Sequence, residues 1–377
     1  MNHRRAWAIA RKEFLHILRD PRSLGMAIAM PMLLLMLYGY ALTLDVDNVP
    51  MIVWDQSQTP ASRDFVSQFG GSRYFSVEGY GWNYRELERE IDSGHALVAL
   101  VVPRDFANQV RSGRPASVQL IVDGSDSNTA TLAVSYADVV TQTYSQALSL
   151  REIRRLGGMA LDAPVDFRPR VWFNPELESR NYIIPGLIAV IMMVIAALLT
   201  SLTVAREWER GTMEQLISTP VTGRELVLGK LLPYFTIGLV DVLIAVVLGE
   251  FLFHVPLRGS TLLLFASAGI FLVGTMAFGI VISIVAKNQL MANQFAMVLT
   301  FVPSFLLSGF IFSISNMPLV IQWITYLVPA RYFIALLKAI YLKGVGPSVL
   351  AGEGFLLVVY AAANVLMAVG FFRKKLV

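Results

Sequence analysis

Cysteine is absent from the 377 residues, so neither disulfides nor thiolate metal sites can form, and the redox compartment leaves no mark on the chain. Histidine is scarce, at four residues, and neither an H-E-x-x-H pair nor a G-x-S-x-G elbow occurs. The common zinc-hydrolase and serine-hydrolase arrangements are thereby excluded. A phosphate-cradling G-x-x-x-x-G-K-[ST] loop is also missing; the nearest string, Gly223 to Gly229-Lys230, has five intervening residues and continues with Leu231. ATP cannot be bound by that means. Charge is thin, at 15% of residues against 55% hydrophobic with a positive mean hydropathy, which removes an ordinary soluble globular protein from consideration.

The apolar residues fall in runs of membrane length. The net charge of +4 divides unevenly: residues 45–180 sum to −5, the remainder to +9, and every lysine lies outside that middle segment. Basic residues gather at the ends of apolar runs, which favours anionic headgroups over nucleic acid as a partner. In residues 1–20, Trp7, Ala10, Phe14 and Ile17 recur at helical spacing, while Arg4, Arg5, Arg11, Lys12 and Arg19 lie mostly on the other side. That pattern predicts an amphipathic helix on the membrane surface, ended by Asp20-Pro21. The uncharged 22 residues from Ser23 to Leu44 suffice to cross a hydrocarbon core about 30 Å thick. They run too long for a cleaved signal peptide, and no convincing small-x-small site follows. Six basic residues before this run, against Asp45 and Asp47 after it, place the N-terminus in the cytoplasm.

Further spans are expected over 181–205, opened by a Pro185-Gly186 break, then 226–253, 260–286, 289–311 and 353–372, with Lys287-Asn288 as a tight turn. The 43 uncharged residues from Asn288 to Ala330 could cross twice, but the basic tail 373–377 would then lie outside, against the charge rule. Pro318, Gln322 and Pro329 interrupt the later part, so 312–350 reads as short helices and loop dipping into the outer leaflet. Residues 45–180 differ: short apolar runs at 51–54, 96–102 and 118–122 alternate with helical stretches at 60–69, 83–93 and 104–112, and one long helix follows over 127–156. Alternating strands and helices indicate a compact α/β domain, large enough for its own core. His95 is its only histidine, and Asp123-Gly-Ser-Asp126 has too few carboxylates for a calcium loop, reading as a turn with Asp126 or Ser127 as a helix N-cap. The expected fold is an α-helical polytopic membrane protein with six transmembrane helices and an extracytoplasmic α/β domain inserted between spans one and two.

The longest charged interruption in the second half is 206–224. Gly211 breaks the incoming helix, Thr212-x-x-Gln215 offers a capping box for a helix of about two turns, Thr219-Pro220 stops it, and Thr222-x-x-Glu225 caps the next span. Such a helix lies across the membrane surface and presents its polar side to the cytoplasm. The run REWERGTMEQLISTPVTGRELVLGK resembles the cytoplasmic coupling loop of ABC-2 type exporter permeases, in which R-E-x-E-R-G-T, a short helix and T-P precede the third span. RKEFLHILRDPR, VDGSDSN, WFNP, LSGFIF, MPLVIQWITYLVPARYF and LKG extend the resemblance over nearly the whole chain, in the order of the drug-exporter-like branch with a large domain after its first span.

The resemblance implies a permease in the bacterial inner membrane that exports amphiphilic or drug-like molecules. It implies a separate cytoplasmic ATPase that binds ATP and magnesium, a second permease chain, identical or paralogous, and a periplasmic membrane-fusion protein as a further partner; this chain would hold no metal or cofactor. Arg206, Glu207, Glu209, Arg210, Gly211, Thr212, Glu214 and Gln215 are the expected coupling residues, with the charges facing the ATPase. Thr200, Thr203, Asn293, Gln294, Ser304 and Ser308 are polar positions on spans two and five suited to lining a pathway. Asp241 lies about 16 Å inside Lys230 at helical rise, near the midplane, where a carboxylate suggests a proton relay or a bond to a neighbouring helix. Glu250 and His254 sit near the outer end, within reach of water. Two other classes fit less well: a membrane-anchored sensor, which needs fewer spans, and a proton-coupled carrier resting on Asp241 alone.

Overall fold

The computed structural model describes residues 2–42, 48–155, 172–174 and 178–372. The chain divides into two compact units, Met1–Leu44 with Arg170–Val377 and, separately, Asp45–Pro169. The chain opens with α1 (His3–Arg19) and α2 (Pro21–Ala41). The inserted unit follows as β1 (Val49–Asp55), α3 (Pro60–Gly70), β2 (Phe75–Tyr80), α4 (Tyr84–Asp92), β3 (Val98–Val102), α5 (Phe106–Arg111), β4 (Gln119–Val122) and α6 (Ser127–Arg155). Its strands lie in the order β2-β1-β3-β4, with β1 parallel to β2 and β3, and β4 antiparallel to β3.

The period-two alternation of strands divides this unit into two cores. Val49, Met51 and Val53 of β1, with Val98, Leu100 and Val102 of β3, face Phe65 and Phe69 of α3 and Ala133, Ala137 and Tyr144 of α6. Ile52, Ala99 and Val101 point the other way and bury Leu87 of α4. Every expected helix and strand of 45–180 within the described residues is present, and β2 is additional. Its sequence, Phe75-Ser-Val-Glu-Gly-Tyr80, is short, half-polar and carries a glycine, so it lacks the apolar run that marks β1 and β3.

The helical unit continues as α7 (Ser179–Glu209), α8 (Thr212–Ser218), α9 (Gly223–Val247) with a π-helical turn Leu248–Leu252, α10 (Thr261–Ala286) and α11 (Gln289–Leu306). After it come α12 (Leu319–Thr325), α13 (Pro329–Lys338) with a π-helical turn Ala339–Lys343, and α14 (Ala351–Phe371). Among the described residues, α7, α9, α10, α11 and α14 are long and apolar enough to cross a membrane; in α2 the apolar portion is Ala27–Ala41.

Contacts at the helix ends fix the alternation of direction. At one end Gly223 meets Phe372, and Glu209 meets Gln289. At the other, Gly39 meets Phe253 and Ile184, and Gly186 meets Phe310. The pair α12 and α13, bent by 81°, stays at this second end. Phe333 stacks on Phe271 at 4.2 Å, about 15 Å into α10, and the chain then returns, with the Arg258 N–H donating to the Tyr341 carbonyl at 3.0 Å. Val328 and Ala330 at the bend are covered by protein, as irregular backbone at that depth requires.

Three expectations need correcting. No break opens α7: Pro185 lies inside it, and the helix runs four residues past the expected 205. Helix α11 stops at Leu306, five residues short of 311, after Pro303 removes a ladder donor. In α1, the side carrying Ala10 and Ile17 packs against the protein, whereas Trp7 and Phe14 are exposed. The expected tail 373–377 and the junction at 43–47 lie outside the described residues.

Without a hydrophobic force between helices in lipid, close approach depends on small residues. A Cβ on Gly279 of α10 would stand 2.1 Å from Thr200 Oγ1 and 2.5 Å from the Ala197 carbonyl of α7. Gly279→Ala is therefore expected to cost about 1–3 kcal/mol, as an overpacked contact does. Thermal unfolding in detergent measures it, with Gly370→Ala, which meets open space, as the neutral control.

Candidate functional site

At the end of the helical unit where α7 stops, Lys230 is the organising group. It lies two turns into α9 with its side chain 2% exposed, a position in which an ammonium is costly unless paired. Its Nζ donates to Glu13 Oε1 of α1 at 2.7 Å and to the Thr203 carbonyl of α7 at 3.2 Å, and stands 3.6 Å from Glu207 Oε1. Glu207 Oε1 also accepts from Lys12 Nζ at 2.9 Å, while Oε2 accepts from the Thr212 hydroxyl at the start of α8. One carboxylate thus joins α1, α7, α8 and α9.

Helix α1 is stapled along its length to the same loop. The Asn2 N–H donates to Glu225 Oε1 at 2.6 Å, Arg5 Nη1 to the Pro220 carbonyl at 2.6 Å, and Arg206 Nη1 to His16 Nε2 at 2.8 Å. Gly229 lets α1 approach: a Cβ there would lie 2.7 Å from Ile9 Cβ and 2.9 Å from the Ala6 carbonyl. Glu225 also accepts from the Thr222 N–H at 2.9 Å, as the expected capping box requires.

The expected coupling residues separate by geometry. Gly211 breaks the helix as its position suggests, with φ of 68°, a left-handed conformation that suits glycine. Thr212 does not cap α8: Gly211 occupies the N-cap, and the Thr212 hydroxyl turns back to Glu207. Glu207 and Glu209, expected to face a partner, are bonded inside the chain. Glu209 accepts from the Gln289 backbone N–H at 2.8 Å and from its side chain, capping α11, and Lys287 lies over the Trp208 ring at 5.2 Å. Outward there remain Arg210, Glu214 and Gln215, while Met213 is buried and Leu216 packs on the core. Arg206 is half-buried against His16.

One turn above Glu207 the α7 ladder takes in a foreign group. Ser283 Oγ of α10 accepts from the N–H groups of Val204 and Ala205 at 3.0 and 2.9 Å. Side-chain insertion of this kind is a recognised origin of helix bends.

The other singled-out residues are also placed. Thr200 and Thr203 are buried, with hydroxyls bonded to α7 carbonyls; Ser304 donates to Met193 Sδ and Ser308 to the Ser304 carbonyl. Asn293 and Gln294 are exposed. Asp241 is buried, and its Oδ1 has no hydrogen-bond partner among the described residues. Glu250 and His254 are exposed. No group of metal-ligating side chains occurs among the described residues. Sequence reasoning missed the Glu13–Lys230 pair. The signal was a glutamate on the Ala10–Ile17 face of α1 and a lysine inside an apolar run.

A family model described as ABC-2 family transporter protein matches residues 21–372. The chain belongs to that family. It is 38% identical over 371 residues to the probable multidrug ABC transporter permease YbhS of Escherichia coli (strain K12), covering 98% of this chain and 96% of that one. To the probable multidrug ABC transporter permease YbhR of the same organism it is 30% identical over 372 residues, 98% of this chain and 99% of the other. ABC transporter G family member 20 of Dictyostelium discoideum matches at 22% over 349 residues, 90% of this chain but 46% of that protein. This is a multi-pass membrane protein and the permease subunit of an ABC exporter, a non-catalytic chain whose work requires an ATPase partner.

Two predictions follow from the permease's ion cluster. Removing one partner of a buried pair strands the other charge, so Glu13→Ala is expected to lose about 3–5 kcal/mol, whereas Glu13→Leu with Lys230→Met recovers most of it. Thermal unfolding of the purified permease reads both. A fluorophore on Ala8→Cys, unique in a chain without cysteine, should report loosening of α1 when Glu225→Gln weakens the acceptor of the Asn2 N–H; an unchanged signal would show that this bond does not hold the helix.

Proposed function

We propose that the permease exports amphiphilic, drug-like molecules across the inner membrane, and that α8 is where a cytoplasmic ATPase delivers force. On this reading α2, α7, α9, α10, α11 and α14 are six crossings, the inserted α/β unit is extracytoplasmic, and the termini lie in the cytoplasm. Two permease chains, identical or paralogous, enclose one pathway, and a periplasmic membrane-fusion protein extends it. The relatives named as multidrug permeases support the substrate class.

The observation that carries the coupling role is the bond from Thr212 to Glu207 and from there to Lys230. A push on the exposed side of α8 reaches the last turn of α7 directly. Glu207 passes it to α9 and α1, and Glu209 passes it to α11 through Gln289. The Ser283 hydroxyl in the α7 ladder leaves the helix a place to bend above the load. Thr200 is buried against Gly279 of α10 and Ser304 against Met193 of α7; should these hydroxyls line a pathway, the helices that cover them must part.

Outward and inward residues are expected to fail differently. Reversing Arg210 and Glu214 together should reduce co-purification with the ATPase, the double change being needed because exposed pairs are each worth under about 1 kcal/mol. Thr212→Val should leave the complex intact but lower substrate-stimulated ATP hydrolysis several-fold. Pull-down yield and stimulated hydrolysis in the same reconstituted membranes decide the matter. If both variants bind and stimulate like the parent, α8 is not the coupling element.

A further inference from the structure

The basic residues of α1 fall into two sets. Arg5 and Lys12 are bound to the loop, at Pro220 and Glu207. Arg4, Arg11 and Arg19 are exposed, and none has a side-chain partner among the described residues. At about 100° per residue Arg4 and Arg11 fall within one narrow stripe and Arg19 lies beside it, with the stripe opposite Glu13. Beside that stripe, on the same outward side, stand Trp7 at 63% exposure and Leu18 at 57%, with Phe14 beyond them. Ala10, Glu13 and Ile17 occupy the opposite side, against the protein. The acids near this helix are accounted for: Glu13 is paired with Lys230, Glu207 with Lys12, Glu225 with backbone N–H groups, and Asp20 follows at the helix end.

We propose that the outward face of α1 seats anionic phospholipid headgroups. The face carries uncompensated guanidinium groups, which match a phosphodiester bidentately. It also carries an aromatic and aliphatic edge suited to the headgroup boundary, on a helix joined directly to α2. An acidic protein surface would match the arginines, but it would leave Trp7 and Leu18 without an apolar counterpart. The membrane supplies both. The inference rests on the membrane-permease reading, and it adds a requirement for lipid charge.

The test uses the purified full-length permease in vesicles of phosphatidylcholine with either brominated phosphatidylglycerol or brominated phosphatidylcholine at equal mole fraction. Bromine quenches nearby tryptophan, and the difference between the parent and Trp7→Phe isolates the Trp7 signal. Enrichment by anionic lipid is expected on the order of fivefold per arginine at low salt, weakening as salt rises. Brominated phosphatidylglycerol should therefore quench Trp7 clearly more than brominated phosphatidylcholine does. Arg4, Arg11 and Arg19 all changed to glutamine should equalise the two lipids, while the same three changed to lysine should keep most of the preference, which separates charge loss from misfolding. Equal quenching in the parent, or a preference that survives the glutamine variant, overturns the proposal. So does loss of ATPase co-purification by the glutamine variant in uncharged detergent with equal quenching in the parent, which would give the face to the protein partner. Failure of the membrane reading itself looks different: neither brominated lipid would quench any tryptophan.

Discussion

A lysine held out of water two turns inside α9 is the constraint that shapes this end of the permease. An isolated ammonium there would be several kcal/mol unfavourable, so the fold must bring carboxylates to it. It brings two, both from earlier in the sequence: Glu13 from α1 and Glu207 from the last turn of α7. Once Glu207 is committed, Lys12 and Thr212 follow it, and the start of α8 is fixed relative to three other helices. The amphipathic helix at the N-terminus is thus an integral part of the helical unit. Its inner side is occupied with ion pairs and close glycine packing, and its outer side is free for something else.

On the proposed reading, force transmission and substrate handling occupy different material. The charges, caps and short helix lie at one end; the buried hydroxyls of α7 and α11 lie within the bundle and are satisfied by backbone and by Met193. The bent pair α12 and α13 closes the opposite end with stacked rings and cations over aromatic faces, Arg331 over Tyr326 and Lys338 over Tyr182. On the proposed reading, motion introduced at Thr212 passes along α7, two of whose N–H groups also donate to Ser283 before the bundle interior is reached.

Long apolar runs and a change of composition made the long apolar helices, the inserted unit and the Lys287-Asn288 turn legible, because each depends on local chemistry; Pro185-Gly186 misled, since α7 runs through it. Lys287 does adopt a left-handed conformation there, with Asn288 capping α11. The α/β unit was readable for the same reason, apart from β2, whose pairing with β1 is settled by tertiary context. The loop 206–224 was legible as a helix between two breaks, but the partners of its charges were not. Glu207 and Glu209 look like surface acids in a polar stretch; their partners, Lys12, Lys230 and Gln289, lie 195, 23 and 80 positions away, beyond any local pattern. Thr212 misled for a related reason: a left-handed Gly211 took the capping position, and the hydroxyl found a carboxylate one turn back.

The Glu13–Lys230 pair also bears on how the chain is made. Glu13 is synthesised 217 residues before its lysine, so α1 must wait at the membrane with an unmatched carboxylate while α2, the whole inserted unit and α7 are threaded. Only when α9 enters can the pair close, and closing it draws the first helix onto the third span of the expected series. The placement of α1 is therefore tied to the arrival of α9: the first helix made is among the last to find its final contact.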